Sequence, residues 1–242
     1  MTTDPTGMPQ PGRPDPVALH LPTDQGPARL RVHSPPGASS RPIHGTLLLG
    51  HGAGGQRDAA DVLALLDLVD EGWIVVLVDQ PWRVAGKRVG PAPARLDEAY
   101  GQLTALAGDE EWQVAHGIHL PRPWVLGGRS AGARVACRAA VAGHLPQVAA
   151  VLCLAFPLHP PGRPDRSRAE ELAGPVRAGL PTLVVQGEKD PFGAPAEVAK
   201  AVAGETLLLR PVPGTHSPTR DLAAVTLHAR ELLAKLELRG AG

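Results

Sequence analysis

The rhythm of apolar and polar positions changes several times along the 242-residue chain. Near the start it alternates. Residues 28–33 put Leu30 and Val32 on one face, the period of a half-buried strand. A second short strand is expected over 17–21. The intervening Thr23-Asp24-Gln25-Gly26-Pro27 is turn chemistry, so the two strands read as an antiparallel hairpin at a sheet edge. From residue 44 onward, short unbroken apolar runs take over at 44–49, 73–78, 124–126, 148–156 and 182–185, with a further strand at 206–210. Between them lie helical stripes at 58–69, 95–106, 131–142, 166–172, 196–202 and 221–238. The last carries Leu222, Val225, Ala229, Leu232, Leu233 and Leu236 on one face.

Strands that are apolar on both faces, alternating with helices, predict a mostly parallel sheet covered on both sides. Right-handed crossovers then make it doubly wound α/β. One domain is expected over 17–242. Residues 1–16, with five Pro and few apolar positions, read as a disordered tail. In such sheets the site lies at the carboxyl ends of the strands.

Composition narrows the function classes. The 24 Lys+Arg balance 24 Asp+Glu, which disfavours nucleic acid and an anionic membrane surface as partners. No apolar run reaches the length of a membrane span. The first residues lack a basic start followed by an apolar stretch, so a secretory signal is not expected and a cytoplasmic location is the default. The 28 Gly and 27 Pro are about double ordinary usage. Cys137 and Cys153 are too few for a disulfide framework and read as buried free thiols. The histidines show no metal-ligand spacing, and no cofactor is implied.

The residues that follow the strands carry the chemistry. After 124–126 comes Gly128-Arg129-Ser130-Ala131-Gly132, a G-x-S-x-G between strand and helix. There Ser130 sits on a sharp turn that lifts its hydroxyl above the sheet, and the flanking glycines avoid backbone collisions. The plain alternative is a Gly-rich turn with an ordinary serine N-cap. After 44–49 comes His51-Gly52-Ala53-Gly54-Gly55. Backbone N–H groups of Ala53 (or Gly54) and Ala131 would form an oxyanion hole. His51 reads as a brace for that loop. A phosphate-cradling loop is the competing reading, although it lacks a G-K-[ST] ending. After 182–185 comes Gly187-Glu188-Lys189-Asp190-Pro191-Phe192, and after 206–210 comes Gly214-Thr215-His216-Ser217. The order Ser130, Asp190, His216 is the order that triads on this fold use, with Glu188 as the competing acid.

GHGAGG (50–55), GGRSAGARVA (127–136), FPLHPPGRP (156–164), GEKDPFG (187–193) and GTHS (214–217) together resemble the α/β-hydrolase superfamily over residues 28–238. Within it the chain is similar to the small, capless, dienelactone-hydrolase-like branch. FPLHPPGRP narrows the resemblance to small bacterial hydrolases related to the third subunit of the NSL chromatin complex. The resemblance implies a Ser-Asp-His apparatus on Ser130, Asp190 and His216. Ala131 stands where that family often has Met, but the group used there is a backbone N–H.

The expected activity is hydrolysis of a small ester through an acyl-enzyme, with His216 as base. A neutral imidazole is required, so activity falls as His216 protonates. Trp82, Arg129, His159 and Phe192 are the expected substrate contacts. The basic set Arg83, Lys87, Arg88, Arg129, His159 and Arg163 raises a carboxylated ester as one option; a solvated basic rim is the plain one. The connection from 156 to 181 is too short for a cap domain, and 80–94 is the other potential cover. A thioesterase, a peptidase-like hydrolase and a non-catalytic interaction protein on the same scaffold stay open, as does oligomeric state.

Overall fold

The computed structural model describes residues 2–3, 9–10, 14–36, 42–54, 58–145, 148–160 and 162–240. The expected tail at 1–16 falls mostly outside them; Thr2–Thr3 and Pro9–Gln10 pair as two short antiparallel strands. Eight further strands form one sheet. They are β1 (Val17–Leu21), β2 (Ala28–His33), β3 (Gly45–Gly50), β4 (Trp73–Asp79), β5 (Trp124–Arg129), β6 (Val148–Leu154), β7 (Thr182–Gly187) and β8 (Leu207–Val212). Their spatial order is β8-β7-β6-β5-β3-β4-β2-β1. β3 to β8 run parallel, while β2 pairs antiparallel with both β1 and β4, as the expected edge hairpin requires.

The unbroken apolar runs are explained by helices on both faces. Along β3 and β4 the side chains alternate between two cores. Leu48, Val76 and Val78 join α3 (Pro93–Ala107) and α5 (Ala131–Ala142) through Leu103, Ala133 and Ala136. Leu47, Leu49, Val75 and Leu77 join α1 (Ala60–Ala64) and α8 (Leu222–Gly240) through Val62, Val225, Ala229 and Leu232. Each such Leu or Val, removed fully from water, stabilises the fold by about 1.5–3 kcal/mol.

The helices differ from expectation in instructive ways. The stripe at 58–69 becomes α1 followed by a 3-10 helix, Leu65–Glu71. Its buried Leu65, Leu66, Leu68 and Val69 suit a period of 3.0 as well as 3.6 over so short a span. Two short helices were not anticipated: α2 (Pro81–Val84), with Pro at its first position, and α4 (Glu110–Ala115), capped by Asp109 accepting from the Trp112 N–H at 2.7 Å. The helix expected at 166–172 lies later, as α6 (Ala169–Arg177), and contains Pro175. Arg134 of α5 grips Glu171 of α6 with two hydrogen bonds of 2.6 and 2.8 Å. Arg138 bridges the same carboxylate to Asp97 of α3. This clamp fixes α6 to the flank of α5. α7 (Pro195–Ala201) completes the helices between β7 and β8.

β5 extends past the expected end at Leu126. Gly127 and Gly128 lack the side chains that mark a buried strand, yet they pair in register with Leu152 and Cys153. The strand order reverses at β3 and β5, which run parallel, so the loops leaving these two strands part to opposite sides and open a crevice between them.

Candidate active site

Ser130 follows the last residue of β5 and precedes the first of α5. Its backbone sits at φ 54°, ψ −108°, a region that side chains avoid at a cost of about 1–3 kcal/mol. The surroundings impose it. The Ser130 N–H donates to the Leu154 carbonyl at 3.0 Å, pinning the turn to β6. A Cβ on Gly128 would lie 2.3 Å from the Gly50 carbonyl oxygen, and one on Gly132 would lie 2.4 Å from it. The G-x-S-x-G spacing thus lets β3, β5 and α5 touch backbone to backbone. The first N–H groups of α5 lack the acceptor that a preceding turn would give, and Ala131 and Gly132 at that end line the cleft described below.

His216 comes from the loop after β8, and Asp190 from the loop after β7. His216 Nε2 is 2.9 Å from Ser130 Oγ, and His216 Nδ1 is 2.9 Å from Asp190 Oδ2. The Asp190 side chain is fully buried. Its charge is met by donors: the Phe192 N–H gives to Oδ1 at 2.8 Å and Gln186 Nε2 to Oδ2 at 2.9 Å. Glu188, the alternative acid, is exposed, so the structure brings Asp190 and not Glu188 to His216. The Phe192 ring lies against the imidazole, with centroids 4.1 Å apart and planes 32° apart.

The loop after β3 completes the crevice. Its His51 is buried and braces the loop, as expected. Nδ1 meets the Gly52 carbonyl at 2.9 Å, and Nε2 accepts the Gln80 N–H at 3.2 Å. Both contacts suit one neutral tautomer carrying its proton on Nδ1. Burial pushes the His51 pKa down in keeping with this. A cleft of about 400 Å³ is lined by Ala53, Gly54, Trp82, Arg88, Val89 and Ala131, among others. Both residues expected to supply oxyanion donors therefore border one cavity, and residues 88–91 of the 80–94 loop form its far wall. Trp82, expected as a wall, lines this cleft. It packs edge-on to His51 with centroids 5.2 Å apart, and the Arg83 guanidinium covers its ring at 4.8 Å.

Three expected substrate contacts are engaged elsewhere. The Arg129 guanidinium is bound by Asp61 and by the His216–Ser217 segment. His159 is buried: its N–H donates to the Phe192 carbonyl and its Nδ1 meets the Pro160 carbonyl at 2.9 Å. Phe192 is taken up by its stacking on His216. Arg129 ends a strand and the other two lie in loops after strands, but each side chain turns into the loop scaffold. Arg163 pairs with Asp165 at 3.4 Å on the surface. Cys137 and Cys153 are buried free thiols with sulfurs 3.5 Å apart. The residue that sequence reasoning missed is Gln186, the penultimate position of β7. Its Nε2 also contacts the carbonyls of Phe156 and Gly193 at 3.1 and 2.8 Å. The signal was a polar side chain inside an apolar strand next to the acid.

Among the described residues, no group of three or more His, Cys, Asp or Glu is placed to hold a metal. No helix among them is long and apolar enough to cross a membrane.

The structure is similar to several solved proteins. An α/β serine hydrolase without a lid from Xanthomonas campestris superposes with TM-score 0.64 at 22% identity, covering 92% of this chain and 97% of that one. Dienelactone hydrolase from Anabaena variabilis gives 0.64 at 20%, covering 92% and 98%. Est1E from Butyrivibrio proteoclasticus gives 0.66 at 14%, covering 90% and 98%. At these identities the likeness is one of fold. No curated protein sequence matches the chain. Residues 44–220 match the family model described as an alpha/beta hydrolase domain, a span that holds every loop around the crevice. The chain belongs to the α/β-hydrolase domain family.

Proposed function

We propose that this protein is a serine hydrolase that cleaves small esters, with Ser130 as nucleophile, His216 as base and Asp190 as the acid that orients it. The observation that carries the reading is the relay Ser130 Oγ–His216 Nε2–His216 Nδ1–Asp190 Oδ2, with both hydrogen bonds at 2.9 Å. With Nδ1–H donating to Asp190, the imidazole presents a lone pair at Nε2. It takes the Ser130 proton as Oγ attacks the acyl carbonyl. Charge develops on the carbonyl oxygen beside Ala131 and Ala53, whose N–H groups receive it; one such donor is worth roughly 3–4 kcal/mol of barrier. The imidazolium returns its proton to the departing alcohol. Water then attacks the acyl-enzyme with His216 again as base, releasing the acid and restoring Ser130.

The substrate is a small ester because the cleft is modest in volume and open on one side to solvent-exposed residues of the 80–94 loop. Arg88 borders that cleft with no carboxylate partner among the described residues, which supports a carboxylated ester within the class. The serine hydrolase and dienelactone hydrolase named above are fold relatives whose names agree with this chemistry. The resemblance of FPLHPPGRP to the small bacterial relatives of the NSL-complex subunit belongs to the same proposal.

The test is fluorophosphonate labelling of the wild type beside Ser130→Ala and His216→Ala, located by peptide mass. Labelling of Ser130 alone, lost in both variants, is the expected result. A folded wild type that takes no label overturns the proposal.

A further inference from the structure

Arg129 is the residue between the first glycine and the nucleophile of G-x-S-x-G, and its side chain is only 12% exposed. It reaches one helix and two loops. Nε donates to Asp61 Oδ2 on α1 at 3.1 Å. Nη2 donates to the His216 carbonyl at 2.8 Å and to Ser217 Oγ at 2.6 Å. Nη1 passes so close to Gly52 that a Cβ there would lie 3.1 Å from it. One guanidinium therefore touches the oxyanion loop, the first helix and the loop that carries the base.

Asp61 makes the other half of the device. Its side chain is 1% exposed, and among the described residues its support besides Arg129 is local, from the Val62 N–H at 3.1 Å. A buried carboxylate paired with one guanidinium holds that guanidinium's orientation, because either charge left alone is costly. The planar fork suits this geometry. Nε is committed to the carboxylate, which aims Nη2 at the carbonyl of His216. The His216 loop is also held by Asp190 on Nδ1, by Phe192 against the ring and by the Lys189 N–H on the Gly214 carbonyl at 2.9 Å, none of which engages the His216 carbonyl.

We infer that Arg129, locked by Asp61, is a positioning residue that sets the His216 loop at its working distance from Ser130. The strand that carries the nucleophile also carries the strut that places its base. A displacement of the strand end then moves both together. The inference rests on the proposed Ser130–His216 chemistry. It assigns Arg129 to the enzyme's own geometry and not to substrate binding.

Four variants test it in the full chain: Ser217→Ala, Arg129→Lys, Arg129→Met and the double Arg129→Met with Asp61→Asn. The readouts are kcat and KM for p-nitrophenyl acetate, the rate of fluorophosphonate inactivation, and thermal melting. A misplacement of about 1 Å is enough to cost roughly 10²-fold in rate. The expected result is a fall of about 10–100-fold in kcat and inactivation rate for both Arg129→Met variants, with KM unchanged. The double variant should melt closer to the wild type than Arg129→Met alone, without regaining rate. Arg129→Lys should stay slow, because one ammonium cannot reach both Asp61 and the His216 carbonyl. Ser217→Ala removes one exposed contact, cannot threaten folding, and should cost about fivefold.

Recovery of rate by Arg129→Lys would reduce Arg129 to a counter-ion for Asp61 and overturn the inference. So would a Ser217→Ala variant at wild-type kcat together with a folded double variant that is equally fast. A rise in KM with kcat intact would return Arg129 to the substrate. These failures are distinct from failure of the proposed function, which would show as an unlabelled wild type.

Discussion

Gln186 Nε2 donates at 2.9 Å to Asp190 Oδ2, the same oxygen that meets His216 Nδ1. The fully buried carboxamide thus helps fix which way the acid faces. In Gln186→Leu, that oxygen and the carbonyls of Phe156 and Gly193 lose a donor together. A buried acceptor left unmet costs about 1–3 kcal/mol, so the variant should lose at least that in urea unfolding. Its kcat should fall as Asp190 turns away from the imidazole.

Burial separates the two acids of the β7 loop. Asp190→Asn keeps the shape but favours the wrong His216 tautomer, and kcat should drop by about 10³–10⁴-fold. Glu188→Gln alters only an exposed carboxylate and should leave kcat unchanged. Steady-state ester hydrolysis by the two variants checks this; equal losses would mean that the acid has been misassigned.

His51 supplies a pH dependence of stability. Burial lowers its pKa below the ordinary 6.5, so the unfolded chain takes up a proton that the native one resists. The contribution of neutral His51 is therefore complete above about pH 6.5 and is lost as pH falls through the lowered native value. Protonation would also remove the Nε2 acceptor from the Gln80 N–H and release the start of the 80–94 loop. Thermal melts from pH 7.5 to 5 should show a steeper acid-side fall in the wild type than in His51→Gln.

Trp82 is both a wall and a support. It is 6% exposed, and a Cβ on Gly90 would meet its ring at 3.3 Å, so the loop lies directly on the indole. Trp82→Ala should destabilise by about 3–5 kcal/mol, the usual range for a buried Trp. Trp82→Phe should fold, widen the cleft and move the ester preference toward bulkier acyl groups, as read from kcat/KM over a series of p-nitrophenyl esters.

Much of this arrangement was legible in the chain. The hairpin bounds, the two-sided apolar strands and the serine, acid and histidine after β5, β7 and β8 all follow from local patterns. What local pattern lacks is direction at long range. Arg129 and Asp61 are 68 positions apart, and nothing near either residue announces the other. Phe192 reads equally well as a pocket wall or as packing until the loops are placed, and its contact with His216 shows only then. α6 runs through Pro175 to Arg177, past the expected end at 172, because the pattern alone does not show the Arg134 and Arg138 clamp on Glu171 that holds the helix in place.

That clamp has a consequence for turnover. With α6 bound to the side of α5, the described part of the connection between β6 and β7 is tied down. Under the proposed hydrolysis, turnover needs no swing of α6, and breakdown of the acyl-enzyme becomes a step whose pace selection can adjust.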